Sequence, residues 1–193
     1  MDAKEFRLRV SILEKGETLW RAFPDRLEKI GPDGSVRLTI PYTVVRRVRV
    51  AWAPSREHPG RLLLELSGNT SRVTISNMHF AGLANFEDRS ESFYPMLWMV
   101  ALGVRRANQK AEFRAGERPE IYWPLMLFAF GAIGLLATVL FSLPVNFGSV
   151  TTTIVLKGVF VLITLPVLLG WAWKSRPRAF NPDTDLEELV AIK

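Results

Sequence analysis

Cysteine is missing from this chain of 193 residues, so a disulfide framework, a thiolate nucleophile and a cysteine-ligated metal are excluded. Histidine is nearly missing: His58 and His79 are the only two, and neither stands at a recognised metal-ligand spacing from carboxylates. The P-loop, GxGxxG, GxSxG and HExxH motifs do not occur. We therefore expect a protein that is not an enzyme, with no catalytic residues, no metal and no cofactor.

Charged residues are scarce in two long apolar stretches. Residues 121–143 carry no charged side chain, and as a helix they span about 34 Å, enough to cross a hydrocarbon core of about 30 Å. A second stretch, about 151–173, follows an uncharged link that contains Pro144 and Gly148. The pattern predicts two antiparallel membrane helices, a transmembrane hairpin. The alternative is a large soluble core that buries both helices.

Basic residues predict how the hairpin crosses the membrane. They flank it on both sides and are missing from its link: Arg105, Arg106, Lys110, Arg114 and Arg118 precede it, and Lys174, Arg176 and Arg178 follow it. The positive-inside rule then places both termini in the cytoplasm, and we expect a multi-pass protein of the bacterial inner (plasma) membrane. Four aromatic residues fit as anchors at the cytoplasmic interface: Tyr122, Trp123, Trp171 and Trp173.

Lys157 is the charged residue inside the second apolar stretch. A lysine stem can carry its ammonium group back to the lipid headgroups, which is one interpretation. No aspartate or glutamate occurs in either stretch, so the other interpretation needs a carboxylate, carbonyl or cofactor from a second chain. Lys157 is therefore a candidate partner contact.

Residues 5–80 have the pattern of short strands. Residues 5–12 alternate apolar and polar side chains, as a half-buried strand does, and GPDG at 31–34 is a strong turn signal. The segments 61–66 and 71–76 flank SGNT and predict a hairpin, and Pro41 predicts a bend or a strand boundary. We expect five or six strands in an antiparallel barrel or sandwich.

A helix is predicted after the strands, over about 90–108. Ser92 is the favoured cap, because Pro95 would then fall in the first turn, and Asp88 is the alternative. Residues 93–104 are apolar on nearly every side but too few to span a bilayer, so they suit a helix between two surfaces. Trp98 and Met99 are therefore candidate partner contacts.

Two segments resemble bacterial membrane proteins with a pleckstrin-homology-like (PH-like) domain. Residues 38–50, LTIPYTVVRRVRV, look like the family's strand, IPY and hydrophobic-basic run, and residues 86–97, FEDRSESFYPML, are similar to the start of its closing helix. The resemblance covers roughly residues 35–107. It implies a β-barrel closed by one helix, without catalytic residues, which docks at a membrane by binding protein segments or lipid headgroups.

The densest basic stretch before the hairpin contains Arg46, Arg47 and Arg49. One interpretation is a solvated outer face that protects a sheet edge. The other is contact with anionic headgroups of the cytoplasmic leaflet, to which Arg114 and Arg118 would contribute. No nucleic-acid motif accompanies these residues, so nucleic acid is not an expected partner.

Residues 175–193 are predicted to form a cytoplasmic tail. Thr184 and Glu187 match a capping-box spacing, and Leu186 and Leu189 would share one face of a short helix. The tail is either a frayed end or a segment that docks on the soluble domain or on a partner, because so short a helix does not persist alone.

Together these patterns predict an α+β protein. Its parts are a cytoplasmic PH-like antiparallel β-barrel or sandwich with a closing helix (1–118), a transmembrane hairpin (119–174) and the tail. The expected function is that of a non-catalytic accessory, scaffold or assembly component of a membrane protein complex. The alternative is a sensor or docking module for anionic lipid headgroups. The expected partners are membrane lipid and a membrane protein.

Overall fold

The computed structural model describes residues 3–54, 58–68, 72–82, 85–142 and 150–191. The chain divides into two compact units. The first contains the residues up to Gly116 and those from Arg178 onward, and the second is Glu117–Pro177. The first unit is a mixed α+β domain, called the β-domain below, and the second consists of two helices.

Four strands form the first sheet of the β-domain as an antiparallel meander: β1 (Lys4–Leu8), β2 (Thr18–Ala22), β3 (Arg26–Ile30) and β4 (Val36–Pro41). Every second residue of β2 is buried, as expected where only one face of a sheet meets the core. The turn between β3 and β4 contains Gly34 at φ +78°, a left-handed conformation that glycine adopts without a steric penalty. Pro41 ends β4, so the predicted strand boundary is confirmed.

Five strands form the second sheet: β5 (Arg47–Trp52), β6 (Leu62–Ser67), β7 (Arg72–Ser76), β10 (Glu112–Ala115) and β11 (Arg178–Ala179). Their order is β11-β10-β5-β6-β7. The predicted hairpin is confirmed, because β6 and β7 pair antiparallel with Leu64 opposite Ile75. A separate ribbon pairs β8 (Met78–Gly82) with β9 (Asn85–Asp88).

One helix, α1 (Ser90–Ala107), packs against the sheets. Its fully buried residues recur at intervals of three or four, which places them on one face: Phe93, Met96, Leu97, Val100, Ala101 and Val104. They share a single core with inward-facing residues of both sheets. Phe6 of β1, for example, packs edge-on against Phe93 with 5.4 Å between ring centroids.

The start of α1 differs from the prediction. The helix begins at Ser90, whose backbone N–H and hydroxyl both donate to the Asp88 carboxylate. Asp88 therefore satisfies a helix-terminal donor, and the preference for Ser92 was wrong. Pro95 consequently lies inside the helix, where its missing N–H leaves the Glu91 carbonyl without the usual helical donor.

The architecture of the β-domain also differs from the prediction. The segment for which five or six strands were predicted, residues 5–80, contains eight among its described residues (β1–β8), and β9, β10 and β11 follow. The strands form open sheets and not a closed barrel. The second sheet is mixed, because β10 lies parallel to β5. A parallel pair needs a long crossover, and the chain between these strands, which includes α1, supplies it.

The C-terminal residues belong to the β-domain and do not form a separate tail. Strand β11 pairs with β10, and the ring of Phe180 packs edge-on against Phe113 at 5.8 Å between centroids. A short helix, α4 (Leu186–Ala191), follows. Of the two interpretations of this segment, docking on the soluble domain is therefore the one observed.

The second unit contains α2 (Pro119–Ser142) and α3 (Val150–Ser175). Both are long and apolar enough to cross a membrane, and only 6% of the most apolar segment of α2 and 13% of that of α3 are buried. The large side chains of Leu127 and Leu162 are mostly exposed. This low burial excludes the alternative in which the chain itself buries both helices in a soluble core.

The helices contact each other where α2 starts and α3 ends. The Tyr122 hydroxyl donates to the Ala172 carbonyl at 3.0 Å, and the Glu117 backbone N–H donates to the Ser175 carbonyl at 2.9 Å. The start of α2 therefore lies beside the end of α3.

Candidate functional site

An open apolar groove of about 490 Å³ runs along the side of α1 that faces away from the core. Seven residues of α1 line it: Tyr94, Pro95, Trp98, Met99, Leu102, Gly103 and Arg106. We call this surface the α1 groove. The apolar character of α1 on nearly every side thus has two causes, because one face fills the core and the other lines the groove. Both predicted partner contacts on this helix, Trp98 and Met99, lie there.

One residue that lines the α1 groove, Trp98, carries a hydrogen-bond donor without an acceptor in the described part of the chain. The Nε1 atom of Trp98 is buried and has no hydrogen-bond partner among the described residues. Buried indole N–H groups usually find an acceptor, and leaving one without a partner costs about 1–3 kcal/mol. A carbonyl oxygen of a bound molecule would remove that cost.

Positive charge borders the α1 groove. Lys4 and Arg106 line it and are exposed, and none of its lining residues is acidic. The groove therefore offers apolar contact area, one N–H donor and a cationic rim. This combination suits an apolar ligand that carries carbonyl groups and negative charge.

A second groove, of about 850 Å³, lies where β5 begins. Three parts of the β-domain converge on it: the 3₁₀ turn Tyr42–Val44, the facing ends of β6 and β7 with Gly68, and the connection from α1 to β10. Its charged lining residues are Arg46, Arg47, Arg72, Lys110 and Glu112. We call this surface the basic groove.

Two carboxylates are shared among four arginines around the basic groove. Glu112 accepts the Nε–H groups of Arg47 and Arg114, each at 3.1 Å, and these hydrogen bonds lower the pKa of the Glu112 carboxyl, with Arg47 first. Glu65 accepts from Arg49 at 2.9 Å and, at 3.2 Å, from the lining residue Arg72.

Two further cations of the basic groove have no counter-charge. Arg46 and Lys110 are exposed, and neither forms an ion pair with a carboxylate in the described part of the chain. The described residues of this region therefore include six cations, of which four pair with the two carboxylates and two do not. The excess positive charge suits an anionic ligand.

The predicted headgroup contacts divide into those that the structure exposes and one that it buries. Arg46 and Arg47 reach the basic groove. Arg49 is only 6% exposed and bonds to the buried Glu65 carboxylate and to the Gly116 carbonyl, so its prediction as a headgroup contact was wrong. Arg114 is half-buried beside Glu112, and Arg118 belongs to the helical unit.

Three predicted partner contacts also need correction. Leu186 and Leu189 are buried in the core of the β-domain, so their apolar face contacts this chain and not another. Lys157 is 7% exposed and takes part in a polar or electrostatic interaction. The argument that its charge requires a second chain therefore does not hold.

The aromatic anchors differ in exposure. Trp123 and Trp173 are 63% and 77% exposed, and Trp171 is partly buried. Tyr122 is buried and donates to the Ala172 carbonyl, so it packs between the helices. Its interpretation as an interface anchor was wrong.

Sequence reasoning missed four cations of the two grooves. Lys4 and Arg106 are distant in sequence and meet at the α1 groove, and Arg72 and Lys110 join Arg46 only through sheet pairing. No local pattern could have revealed these meetings. The described residues contain no group of three or more histidine, aspartate or glutamate side chains suited to a metal ion.

Comparisons of the chain with known protein families, with curated proteins and with solved structures give no match. The PH-like resemblance therefore stays a prediction, and the function must be argued from the grooves themselves.

Proposed function

We propose that this chain is an integral protein of the bacterial inner membrane whose β-domain, on the cytoplasmic side, holds a segment of another membrane protein. It would act as a non-catalytic accessory or assembly component of a membrane complex. The observation that carries the proposal is the α1 groove, an apolar surface with a cationic rim whose lining residue Trp98 has a buried indole N–H without an acceptor among the described residues.

The membrane part of the proposal rests on α2 and α3. A soluble protein rarely exposes apolar surface as large as the sides of two such helices, whereas a bilayer covers it. Basic residues flank the pair and its link carries none, which supports cytoplasmic termini. The PH-like resemblance supports a docking role, since antiparallel strands precede one packed helix, although the parallel β5–β10 pair departs from that layout.

The chemistry of the α1 groove defines the partner segment. Apolar side chains would pack on Met99 and Leu102, and acidic side chains would lie near Lys4 and Arg106. The acceptor for Trp98 Nε1 would be a backbone carbonyl. Carbonyls inside a helix are already hydrogen-bonded, so we propose an extended, apolar and acidic segment of the partner.

Site-specific photocrosslinking tests this proposal in intact cells. A photoreactive phenylalanine analogue replaces Met99 in the groove or, as a control, Thr39 on the exposed side of β4. We expect one membrane protein to crosslink through Met99 and not through Thr39. The crosslinked peptide, read by mass spectrometry, should be apolar and acidic.

Charge reversal at the rim provides the second part of this test. The double variant Lys4→Glu and Arg106→Glu should reduce the Met99 crosslink at least about tenfold, because like charges across an interface repel. The control is Arg7→Glu with Lys15→Glu, two exposed cations away from the groove. Equal crosslinking at Met99 and Thr39, or an unchanged yield after reversal at the rim, would contradict the proposal.

The basic groove favours a second candidate function, the binding of anionic lipid headgroups. Its specific support is the excess of cations, of which Arg46 and Lys110 have no carboxylate partner in the described part of the chain. Cations near an anionic leaflet contribute about 1 kcal/mol each to attraction. The two functions are compatible, because the grooves are formed by different residues of the β-domain.

A further inference from the structure

A third cavity, of about 360 Å³, lies in the β-domain apart from both grooves. Its apolar walls come from four strands: Leu8 of β1, Leu63 of β6, Met78 of β8 and Phe86 of β9. A cavity of this size and apolarity is typical of a small-molecule site when a few polar groups converge on it.

Arg61 brings positive charge to this cavity, and no carboxylate among the described residues pairs with it. It is half-buried just before β6, and its Nε atom is buried without a hydrogen-bond partner in the described part of the chain. None of the residues that line the cavity is acidic. The other half-buried arginines of the β-domain behave differently, since Arg9, Arg47, Arg89 and Arg114 all hydrogen-bond to carbonyl or carboxylate oxygens. A buried guanidinium N–H with no acceptor costs free energy. An anionic ligand that accepts its hydrogen bond would remove that cost.

A second polar group of the cavity can donate a hydrogen bond. Ser76 lines it, and its hydroxyl oxygen accepts the Met78 backbone N–H at 3.1 Å. The hydroxyl proton is therefore left to donate. Arg61, Ser76, His58 and Thr74 are the polar residues of a lining that is otherwise apolar. A positive charge and hydrogen-bond donors beside apolar walls suit an amphiphilic ligand with an anionic head.

We propose that this cavity binds a small monocarboxylate with an apolar body. Arg61 holds the carboxylate, Ser76 donates to it, and the body packs on Leu63, Met78 and Phe86. The single cation matches a single negative charge, and the planar guanidinium matches a carboxylate in geometry better than it matches an isolated point charge. The inference does not depend on the α1 groove, on the basic groove or on any partner protein.

The test uses the full chain in nanodiscs of zwitterionic phospholipid, with hexanoate as the probe. Saturation-transfer NMR reports contact between hexanoate and protein, and the thermal unfolding midpoint reports stabilisation by binding. We expect hexanoate to raise the midpoint more than hexanol, which lacks the charge, and more than acetate, which lacks the apolar body. Inorganic phosphate should have little effect, because it cannot use the apolar walls.

The Arg61→Met variant makes the test specific. It should weaken hexanoate binding about tenfold or more, because the charged hydrogen bonds to the carboxylate are lost. Without hexanoate it should unfold at the same or a higher temperature than the wild type, since the substitution removes a buried donor that has no acceptor. Arg7→Met, at an exposed arginine of β1, is the matched control and should change neither quantity.

Three outcomes would overturn this proposal. In the wild type, hexanoate could bind no better than hexanol, or phosphate could stabilise the protein more than hexanoate does. In the Arg61→Met variant, hexanoate could bind as it does in the wild type. The comparison of ligands on the wild type needs no variant, so it decides the matter even if Arg61→Met fails to fold.

Discussion

Arg49 and Glu65 lie opposite each other on β5 and β6 and form a buried ion pair, with 2.9 Å between Arg49 Nη2 and Glu65 Oε2. Their side chains are 7% and 3% exposed. Arg49 also donates from Nη1 to the Gly116 carbonyl at 2.9 Å, and Glu65 also accepts from Arg72 at 3.2 Å. Such additional hydrogen bonds compensate for the hydration that two charged groups lose on burial. The pair therefore joins β5, β6 and the residue that follows β10.

Removal of the arginine should show how strongly this pair is coupled. We expect Arg49→Met to destabilise the β-domain by about 2–4 kcal/mol, because the buried Glu65 carboxylate would lose the buried cation that it pairs with at 2.9 Å, and Arg72, which also pairs with it, is about half exposed. The double variant Arg49→Met with Glu65→Leu should recover most of the loss. Urea unfolding followed by tryptophan fluorescence measures both, with Arg46→Met at an exposed position as the control. Equal stability of Arg49→Met and the wild type would show that the pair is not coupled.

Gly103 determines how closely α1 can approach Tyr42 and Pro24 within the β-domain. A Cβ atom at this position would clash with Cε2 of the Tyr42 ring and would stand 2.7 Å from its Cδ2 and 3.1 Å from the Pro24 carbonyl oxygen. Tyr42 is fully buried, and burial, with a smaller contribution from Asp25, raises the pKa of its hydroxyl. The ring therefore has little room to move aside.

We expect Gly103→Ala to destabilise the β-domain by about 1–2 kcal/mol. Overpacking costs about 1–3 kcal/mol, and the better helix propensity of alanine offsets up to about 1 kcal/mol of that. The control is Gly60→Ala, where a Cβ meets nothing within 4 Å. A thermal unfolding series measures both variants, and a Gly103→Ala variant that is as stable as Gly60→Ala would contradict the close packing.

Local sequence patterns predicted elements better than they predicted how those elements are assembled. The hairpin of β6 and β7 and the two apolar helices follow from periodicity and length, which are local properties. The parallel pair of β5 and β10 is a non-local property, since Arg49 is paired in register with Arg114, a residue 65 positions later in the sequence. No local pattern encodes that register, so the mixed sheet was missed.

The candidate sites show the same difference between what local sequence patterns predict and what depends on non-local contacts. Trp98 and Met99 could be selected because an apolar helix that is too short for a membrane needs a second surface. The burial of Arg49 could not be predicted, because alternation tells which residues share a face and not whether that face is covered. Lys110 was assigned only to the flank of the hairpin, since its neighbours in the basic groove come from distant segments.

His79 is a neutral buried histidine whose hydrogen bonds define its tautomer. Its Nδ1 atom accepts the Arg9 backbone N–H at 3.1 Å, so Nε2 carries the proton and points to the Glu17 carboxylate at 3.4 Å. Burial first, and then the charge of Arg89, lower the pKa of His79, against an opposing effect of Glu17 and Glu87. The folded domain therefore binds a proton at this site less readily than the unfolded chain does.

This linkage predicts how stability depends on pH. A depressed pKa in the folded state means that the contribution of His79 is complete above the unfolded value of about 6.5 and is lost as the pH falls toward the folded value. We expect the unfolding midpoint of the wild type to decrease between about pH 7.5 and about pH 5.5. The decrease should be smaller for His79→Gln, which does not titrate. Identical pH profiles for the two proteins would show that another group controls this range.

The excess charge of the basic groove predicts a lipid-dependent change in hydrogen exchange. In nanodiscs that contain anionic phosphatidylglycerol, amides of residues 42–47 and 108–112 should exchange more slowly than in zwitterionic nanodiscs, because bound headgroups order both segments. At about 0.5 M salt the difference should disappear, since screening then acts within a few ångströms. Hydrogen exchange read by mass spectrometry resolves both segments.

Paired variants decide whether specific side chains or net charge cause that protection. Arg46→Gln with Lys110→Gln removes the two cations of the basic groove that have no carboxylate partner in the described part of the chain. Arg7→Gln with Lys15→Gln removes the same charge from exposed positions elsewhere in the β-domain. We expect only the first pair to abolish the protection, because headgroup binding requires cations that converge on one site. Equal loss in both pairs would mean that diffuse attraction to the anionic surface is sufficient, and the basic groove would then have no specific role.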